Sequence, residues 1–330
     1  PPTVVMLEEI QHLDEPAAFL TELVDLAKGR RILATASSSP WSRSRTRESP
    51  AERTRRVRLL PLSLDEVAAS LPDELAPEVR DAHLAELWER LVAAGGYPEV
   101  WLADDPPAVL HRLAEASVLE SASGLHIVER PGVLRSVLEL AAADAGKLVN
   151  VSAWAAAVRA SRTVVSRYLA ILEEAHVLRL VPPYAGGRRG EVTGAPKVFF
   201  FDNGLRNAVF GGFAATSGRA DRGALWENAV FGELAKRQDP LEEIFYWRSK
   251  NGAEIDFVAR RQGRLTAIVV HAGELRRPIV SRAARSFLAA YRPACLGIVN
   301  GSLRLDLEVD GVKVRFRRPW ELAEVLASDR

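Results

Sequence analysis

Residues Val4-Val5-Met6-Leu7-Glu8-Glu9-Ile10-Gln11 form an apolar run that ends in two acids. Such a run reads as a strand, and a strand that ends this way delivers carboxylates to the edge of a sheet. Pro16 to Lys28 then carries Phe19, Leu20, Leu23, Val24 and Leu26 at helical spacing. Arg31 to Ser39 reads as a second short strand that runs out in small hydroxyl residues. A polar, Arg-rich loop over 40–56 leads to Val57–Leu64. Strand, helix, strand with acids at a strand end is α/β grammar.

The rest of the chain divides by pattern. Over 67–130 the stripe Leu84, Leu87, Trp88, Leu91 and Val92 has a period of 3.6, and Gly95-Gly96-Tyr97-Pro98 ends that helix. A second helix is expected after Asp105-Pro106-Pro107. Over 131–200 three helices are expected, with Ser152 capping the second and Ser161 the third, followed by strands Val177–Val181 and Lys197–Phe201. Helix, turn, helix, hairpin is the order of a winged helix. Over 201–330 a helix from Leu225 to Gln238 precedes strands at 244–248, 254–260, 266–271, 296–299 and 312–317, with helices over 279–291 and 320–326. The fold class expected is therefore multidomain α/β, with unit boundaries at 66, 130 and 200.

Composition narrows the function classes. The 330 residues are 48% hydrophobic and 26% charged, as in a globular protein. No apolar run is long enough to span a bilayer, and no signal-peptide pattern opens the chain. One cysteine, Cys295, excludes an internal disulfide and fits a reducing, cytoplasmic setting; its apolar surroundings predict a buried thiol. A net charge of +1 does not by itself announce a nucleic-acid binder. No G-x-S-x-G elbow, dinucleotide fingerprint or Cys/His metal spacing is present. His12, His83, His111, His126 and His176 are scattered and suggest no site.

Short stretches in a fixed order carry a resemblance. They are Leu7-Glu8-Glu9-Ile10-Gln11, Thr35-Ala36-Ser37-Ser38, Leu60-Pro61-Leu62-Ser63, Gly95-Gly96-Tyr97-Pro98-Glu99, Ala195 through Leu205, Trp226-Glu227-Asn228, Tyr246-Trp247-Arg248, and Gly252 through Phe257. Together the chain resembles bacterial and archaeal AAA+-type ATPases of unknown role. These carry a winged helix and a C-terminal domain similar to PD-(D/E)XK nucleases. The resemblance implies a partial AAA+ parallel α/β layer over 1–66, a helical lid over 67–130, a winged helix over 131–200 and a restriction-endonuclease-like domain over 201–330.

The resemblance also implies roles. Glu8 takes the Mg²⁺-binding position of a Walker B strand and Glu9 the position that orients the attacking water. Glu8 stands where the family has an aspartate, and its extra methylene disturbs a geometry that Mg²⁺ holds strictly. Ser37 matches a polar sensor, although a plain turn explains it as well. Arg55 matches an arginine finger, but Arg53, Arg56 and Arg58 surround it, and a solvated basic loop is an equal reading. A phosphate loop, G-x-x-x-x-G-K-[ST], is absent: Gly146-Lys147 is followed by Leu148 and lacks the preceding glycine. Mg²⁺ and ATP are therefore the implied cofactors, and neither is expected to bind this chain tightly.

In the winged-helix region Arg162, Thr163, Ser166 and Arg167, with Arg188 and Arg189 at the wing tip, could meet the phosphates of double-stranded DNA. The same module could equally pack against protein, so a protein partner or homo-oligomer stays open. In the nuclease-like region Glu254 and Asp256, two apart on a strand, face one way. With Glu227 on the preceding helix they form the candidate acidic centre, Glu254 and Asp256 being the candidate Mg²⁺ ligands. The next strand should supply an acid and a lysine and instead reads Val269-Val270-His271. His271 takes the lysine position, and Glu274 could stand in as a migrated acid. A degenerate centre retained for binding or assembly is expected over residual Mg²⁺-dependent cleavage.

Overall fold

A computed structural model describes residues 4–27, 29–36, 55, 57–123, 128–186, 194–237 and 242–327, with only the backbone over 117–123. The chain is α/β, built from several packed units. Strand β1 (Val4–Leu7) and strand β2 (Arg31–Ala34) pair in parallel, joined by helix α1 (Pro16–Leu26). Both strands are shorter than their apolar runs. Glu9 adopts a left-handed φ of 54°, which breaks β1 and starts a 3₁₀ turn over Ile10–His12. The second strand stops at Ala34, where Thr35 turns to hydrogen-bond Leu7 and Ile10.

Val57–Leu60 forms no regular secondary structure. Helix α2 (Leu64–Ala68) begins at Ser63, which shares a reciprocal capping box with Glu66. Helices α3 (Pro77–Ala94), α4 (Pro98–Trp101) and α5 (Pro106–Ser123) follow, each opened by a proline in its first turn. Gly95, at φ 74° and ψ −167°, ends α3 in a conformation only glycine adopts freely.

Next come helices α6 (Pro131–Ala143), α7 (Val151–Ala157) and α8 (Arg162–Glu174), then the antiparallel strands β3 (Leu178–Val181) and β4 (Lys197–Phe200). Asn150, not Ser152, caps α7 by accepting from the Ala153 amide at 3.0 Å; Ser161 caps α8. Leu148 lies antiparallel to Lys197 on the other side of β4. Strand β4 is buried on both faces. Val198 and Phe200 enter the core of α6–α8, whereas Phe199 stacks on Phe231 and packs against Phe257 of the following unit. Alternation along the strand thus sends Lys197 to the same side as Phe199.

Helix α9 (Asn203–Val209) leads to helix α10 (Arg222–Arg237). The six-stranded sheet is ordered β5 (Glu242–Arg248), β6 (Glu254–Arg261), β7 (Arg264–Val270), β8 (Cys295–Val299), β10 (Val312–Arg317), β9 (Leu305–Val309). The β5–β6–β7 portion is antiparallel, while β8 is parallel to both β7 and β10. Helix α11 (Arg282–Tyr291) makes the crossover from β7 to β8, and α12 (Leu322–Leu326) closes the chain. Strand β9 and helix α9 have no counterpart in the sequence reading. Cys295 is buried in β8.

Two polar arrangements join the units. Leu62 donates its amide to Gly96 at 2.7 Å and accepts Lys236 at 2.8 Å; the Leu64 amide meets both oxygens of the buried Glu233. Arg237 reaches Asp65 at 2.5 Å. Helix α10 thus grips the segment entering α2. Elsewhere Asn228 holds both the amide and the carbonyl of Phe200, and also Asn203, whose side-chain amide donates to Val92 and Leu225. Among the described residues no helix is long and apolar enough to cross a membrane.

Candidate functional site

The chemistry concentrates where β4, α10 and β6 meet. Lys197 is 4% exposed at its side chain and lies 2.9 Å from Glu227 of α10. Its ammonium also pairs with Glu254 at the start of β6. The rings of Tyr246 and Phe199 stand 5.7 and 5.9 Å from it. Arg248 approaches the outer oxygen of Glu254 at 3.7 Å.

Asp256 joins from the same strand by a local irregularity. Phe245 opposes Val258 and Trp247 opposes Ile255, so Tyr246 faces both Asp256 and Phe257. This bulge lets Asp256 turn to the end of β7, where it accepts the Val270 amide at 2.7 Å. Glu227, Glu254 and Asp256, the three acids singled out in the sequence, thus gather around one lysine.

Three carboxylates against one ammonium leave an excess of negative charge in a largely buried place. Burial, then the charge of Asp256, pushes the Glu227 carboxyl up to about 8, against the pull of Lys197. Burial likewise pushes Asp256 up to about 6, with the Val270 amide and Lys197 holding it back. Burial works to lower Lys197, but the charges of Glu227 and Glu254 outweigh it and hold its ammonium above the ordinary lysine value.

The lysine that meets these acids lies on β4, not at the β7 position that His271 occupies. His271 is exposed, and its backbone amide is spent on Val299 at 2.8 Å. Glu274 is exposed in the loop beyond it and does not enter the cluster. The missed signal was Lys197 itself: a lysine inside the aliphatic and aromatic run Val198-Phe199-Phe200-Phe201 must bury its charge, and a buried lysine needs carboxylate partners.

A divalent cation does not fit this centre as it stands. The lysine ammonium already sits where a cation would neutralise Glu227 and Glu254. Among the described residues no group of three or more His, Cys, Asp or Glu side chains is arranged to hold a metal ion. This holds for Glu8 as well. Glu8 and Glu9 follow the end of β1 and are exposed. The Glu9 carboxylate accepts Gln11 at 2.5 Å, and its amide meets the Thr35 hydroxyl at 3.3 Å. Arg55 is exposed; Ser37, Arg188 and Arg189 lie outside the described residues.

On α8, Arg162, Thr163, Ser166 and Arg167 are all exposed, while Val165, Tyr168, Leu169 and Leu172 are buried beneath them. Arg167 is 3.7 Å from Glu129 in an exposed pair, an interaction of little strength. A second buried acid, Asp202, is not a site. Burial raises its carboxyl, but it caps α9 through the Leu205 amide at 2.9 Å and takes the Gly96 amide at 2.7 Å.

Comparison with known proteins divides the chain in three. Residues 1–68 match the model of an AAA domain, 85–216 a domain of unknown function (DUF8612) and 222–315 another (DUF4143). The chain is 26% identical over 305 residues to uncharacterized proteins of Mycobacterium bovis and Mycobacterium tuberculosis. The alignment covers 90% of this chain and 64% of each relative, so the chain spans less than two thirds of their length. An uncharacterized protein of Haemophilus influenzae is 27% identical over 244 residues, which are 72% of this chain and 58% of that protein. No solved structure matches the chain.

Proposed function

We propose that this chain, which carries an AAA-type segment at its N-terminus, is a DNA-binding and assembly protein whose C-terminal unit is a nuclease-like fold closed by a lysine. One observation carries the reading: Lys197 is seated, nearly buried, between Glu227 and Glu254. A metal ion entering there would have to expel the ammonium and leave it buried without partners, which is costly. The order α10, antiparallel β5–β6–β7, crossover α11, parallel β8 supports a PD-(D/E)XK-like architecture. In it the acids keep their places while the lysine arrives from β4.

The α6–α8 helices with the β3–β4 hairpin support a winged helix, whose α8 face would meet duplex phosphates through Arg162, Thr163, Ser166 and Arg167. The setting we propose is the reducing cytoplasm. Supercoiled plasmid incubated with the purified chain and Mg²⁺ or Mn²⁺ should stay intact. Nicking that Asp256→Ala stops would overturn the lysine-closed centre. Arg162→Glu with Arg167→Glu should weaken retention of duplex DNA.

A second reading has its own observation. The parallel β1–β2 pair leaves Val4, Met6 and Leu33 at 51%, 65% and 52% exposure, although parallel sheets are normally covered on both faces. This favours a larger nucleotide-binding sheet, completed by further polypeptide, in an ATP-dependent DNA-processing or defence machine. ATP turnover above background that Glu9→Gln removes would select it.

A further inference from the structure

The end of the sheet that carries the acidic cluster also carries a group of cations whose side chains have no partner among the described residues. The sequence from 276 to 285 contains four arginines, Arg276, Arg277, Arg282 and Arg285. All four are exposed. None of their side chains makes an ion pair or hydrogen bond among the described residues. Other arginines of the same unit are engaged: Arg260 with Glu243 at 2.7 Å, Arg304 with Glu321 at 3.1 Å, Arg317 with Asp306 at 2.7 Å.

The loop that bears them is held in place. Leu275 donates to the Ser302 hydroxyl at 2.9 Å and accepts from it at 3.0 Å, and Gly301 donates to Gly273 at 2.6 Å. At the far end Ser281 caps α11 through the Ala284 amide at 3.1 Å. Arg282 and Arg285 follow at i and i+3, neighbours on one exposed helix face. Four guanidinium groups are thus displayed on fixed backbone.

Their position is set by topology. β7 runs antiparallel to β6, so its last residue, Val270, bonds Asp256 and the loop begins one residue later. The β5–β6 turn lies at the same end of the sheet and carries Arg248 and the exposed Lys250. Cations therefore stand on both sides of the acidic cluster.

We propose that the β7–α11 loop and the first turns of α11 form a contact surface for the phosphate backbone of duplex DNA, in addition to the α8 face. Guanidinium groups match phosphate bidentately. Only one large apolar side chain, Ile279, is exposed in this stretch. A protein interface needs an apolar core, and insertion into a membrane needs a broad apolar face, so the surface fits a polyanionic backbone best. The inference goes beyond the lysine-closed centre and holds whether or not that centre cleaves.

The test is fluorescence anisotropy of the whole chain with a labelled duplex of mixed sequence, titrated with salt. Arg276→Glu with Arg277→Glu, and separately Arg282→Glu with Arg285→Glu, should each lower affinity at least about tenfold and flatten the slope of log K on log salt by about 1.8, two phosphates' worth. Arg264→Glu, at the opposite end of the sheet, should change neither. If a charge-reversed variant loses its thermal transition, the Arg→Gln pairs at the same positions should still flatten the slope. Unchanged affinity and slope in both pairs, no duplex binding by the parent chain, or retention on anionic vesicles but not on duplex would each overturn the inference. Loss confined to Arg162→Glu with Arg167→Glu would overturn it too, while leaving the proposed function intact. Metal-dependent nicking would do the reverse.

Discussion

Lys197 of β4 and Glu227 of α10 face each other at 2.9 Å across the seam between the hairpin unit and the six-stranded sheet. The lysine is shared with Glu254, so one ammonium ties three elements together. Above about pH 8, where Glu227 is ionised, Lys197→Met should destabilise the chain by about 3–5 kcal/mol, the usual cost of stranding a buried charge. Adding Glu227→Gln should recover part of that loss. Urea unfolding of the single and double variants measures the coupling, and additive effects would contradict the shared ion pair.

The same seam gives a pH dependence. Glu227 rises from 4.5 to about 8 and Asp256 from 3.8 to about 6 on folding. Both acids thus bind more protons when folded than when unfolded over those intervals. Stability from these groups is greatest at low pH and falls as pH climbs from about 4 to about 8. Glu227→Gln should flatten the upper part of that fall, read as melting temperature against pH. An identical slope in the variant would refute the assignment.

Gly95 should tolerate no side chain. Its φ of 74° with ψ of −167° belongs to glycine, and a Cβ would strike the Asp202 carboxylate. Gly95→Ala should cost about 3 kcal/mol or more through strain and overlap. Gly132→Ala, where open space surrounds the position, serves as the contrast. Equal melting temperatures for the two would contradict the described turn.

Asn228→Ala should cost about 2–5 kcal/mol, because it strips partners from the buried amide and carbonyl of Phe200. Hydrogen exchange should accelerate first in β4. Protection left intact there would show that Asn228 does not hold the strand.

Much of the architecture was readable because its signals are local. Ser161 caps α8, Gly95 ends α3, and the stripes of α3, α6 and α8 face inward at the expected spacing. Asp256 and Glu254 could be paired from their spacing alone, and Glu227 from the resemblance. What failed was long-range. Lys197 stands 57 positions before Glu254 by their numbers, and only packing of β4 against α10 and β6 unites them. Strand β9 was missed because Leu305-Asp306-Leu307-Glu308-Val309 is an alternating edge strand whose acids mask its apolar content. Asn150 displaced Ser152 as a cap because Leu148 is tied to Lys197, which fixes where the chain can begin to turn.

Helix α10 holds Glu227 near its beginning and Glu233, Lys236 and Arg237 near its end. About 9 Å of helix separates the first two. The segment those last residues clasp lies at the end of the AAA-type match, which runs over 1–68. Tension on residues 62–65 is therefore borne by the same rod that presents the acid to Lys197, and this makes α10 a load path between the two halves of the molecule.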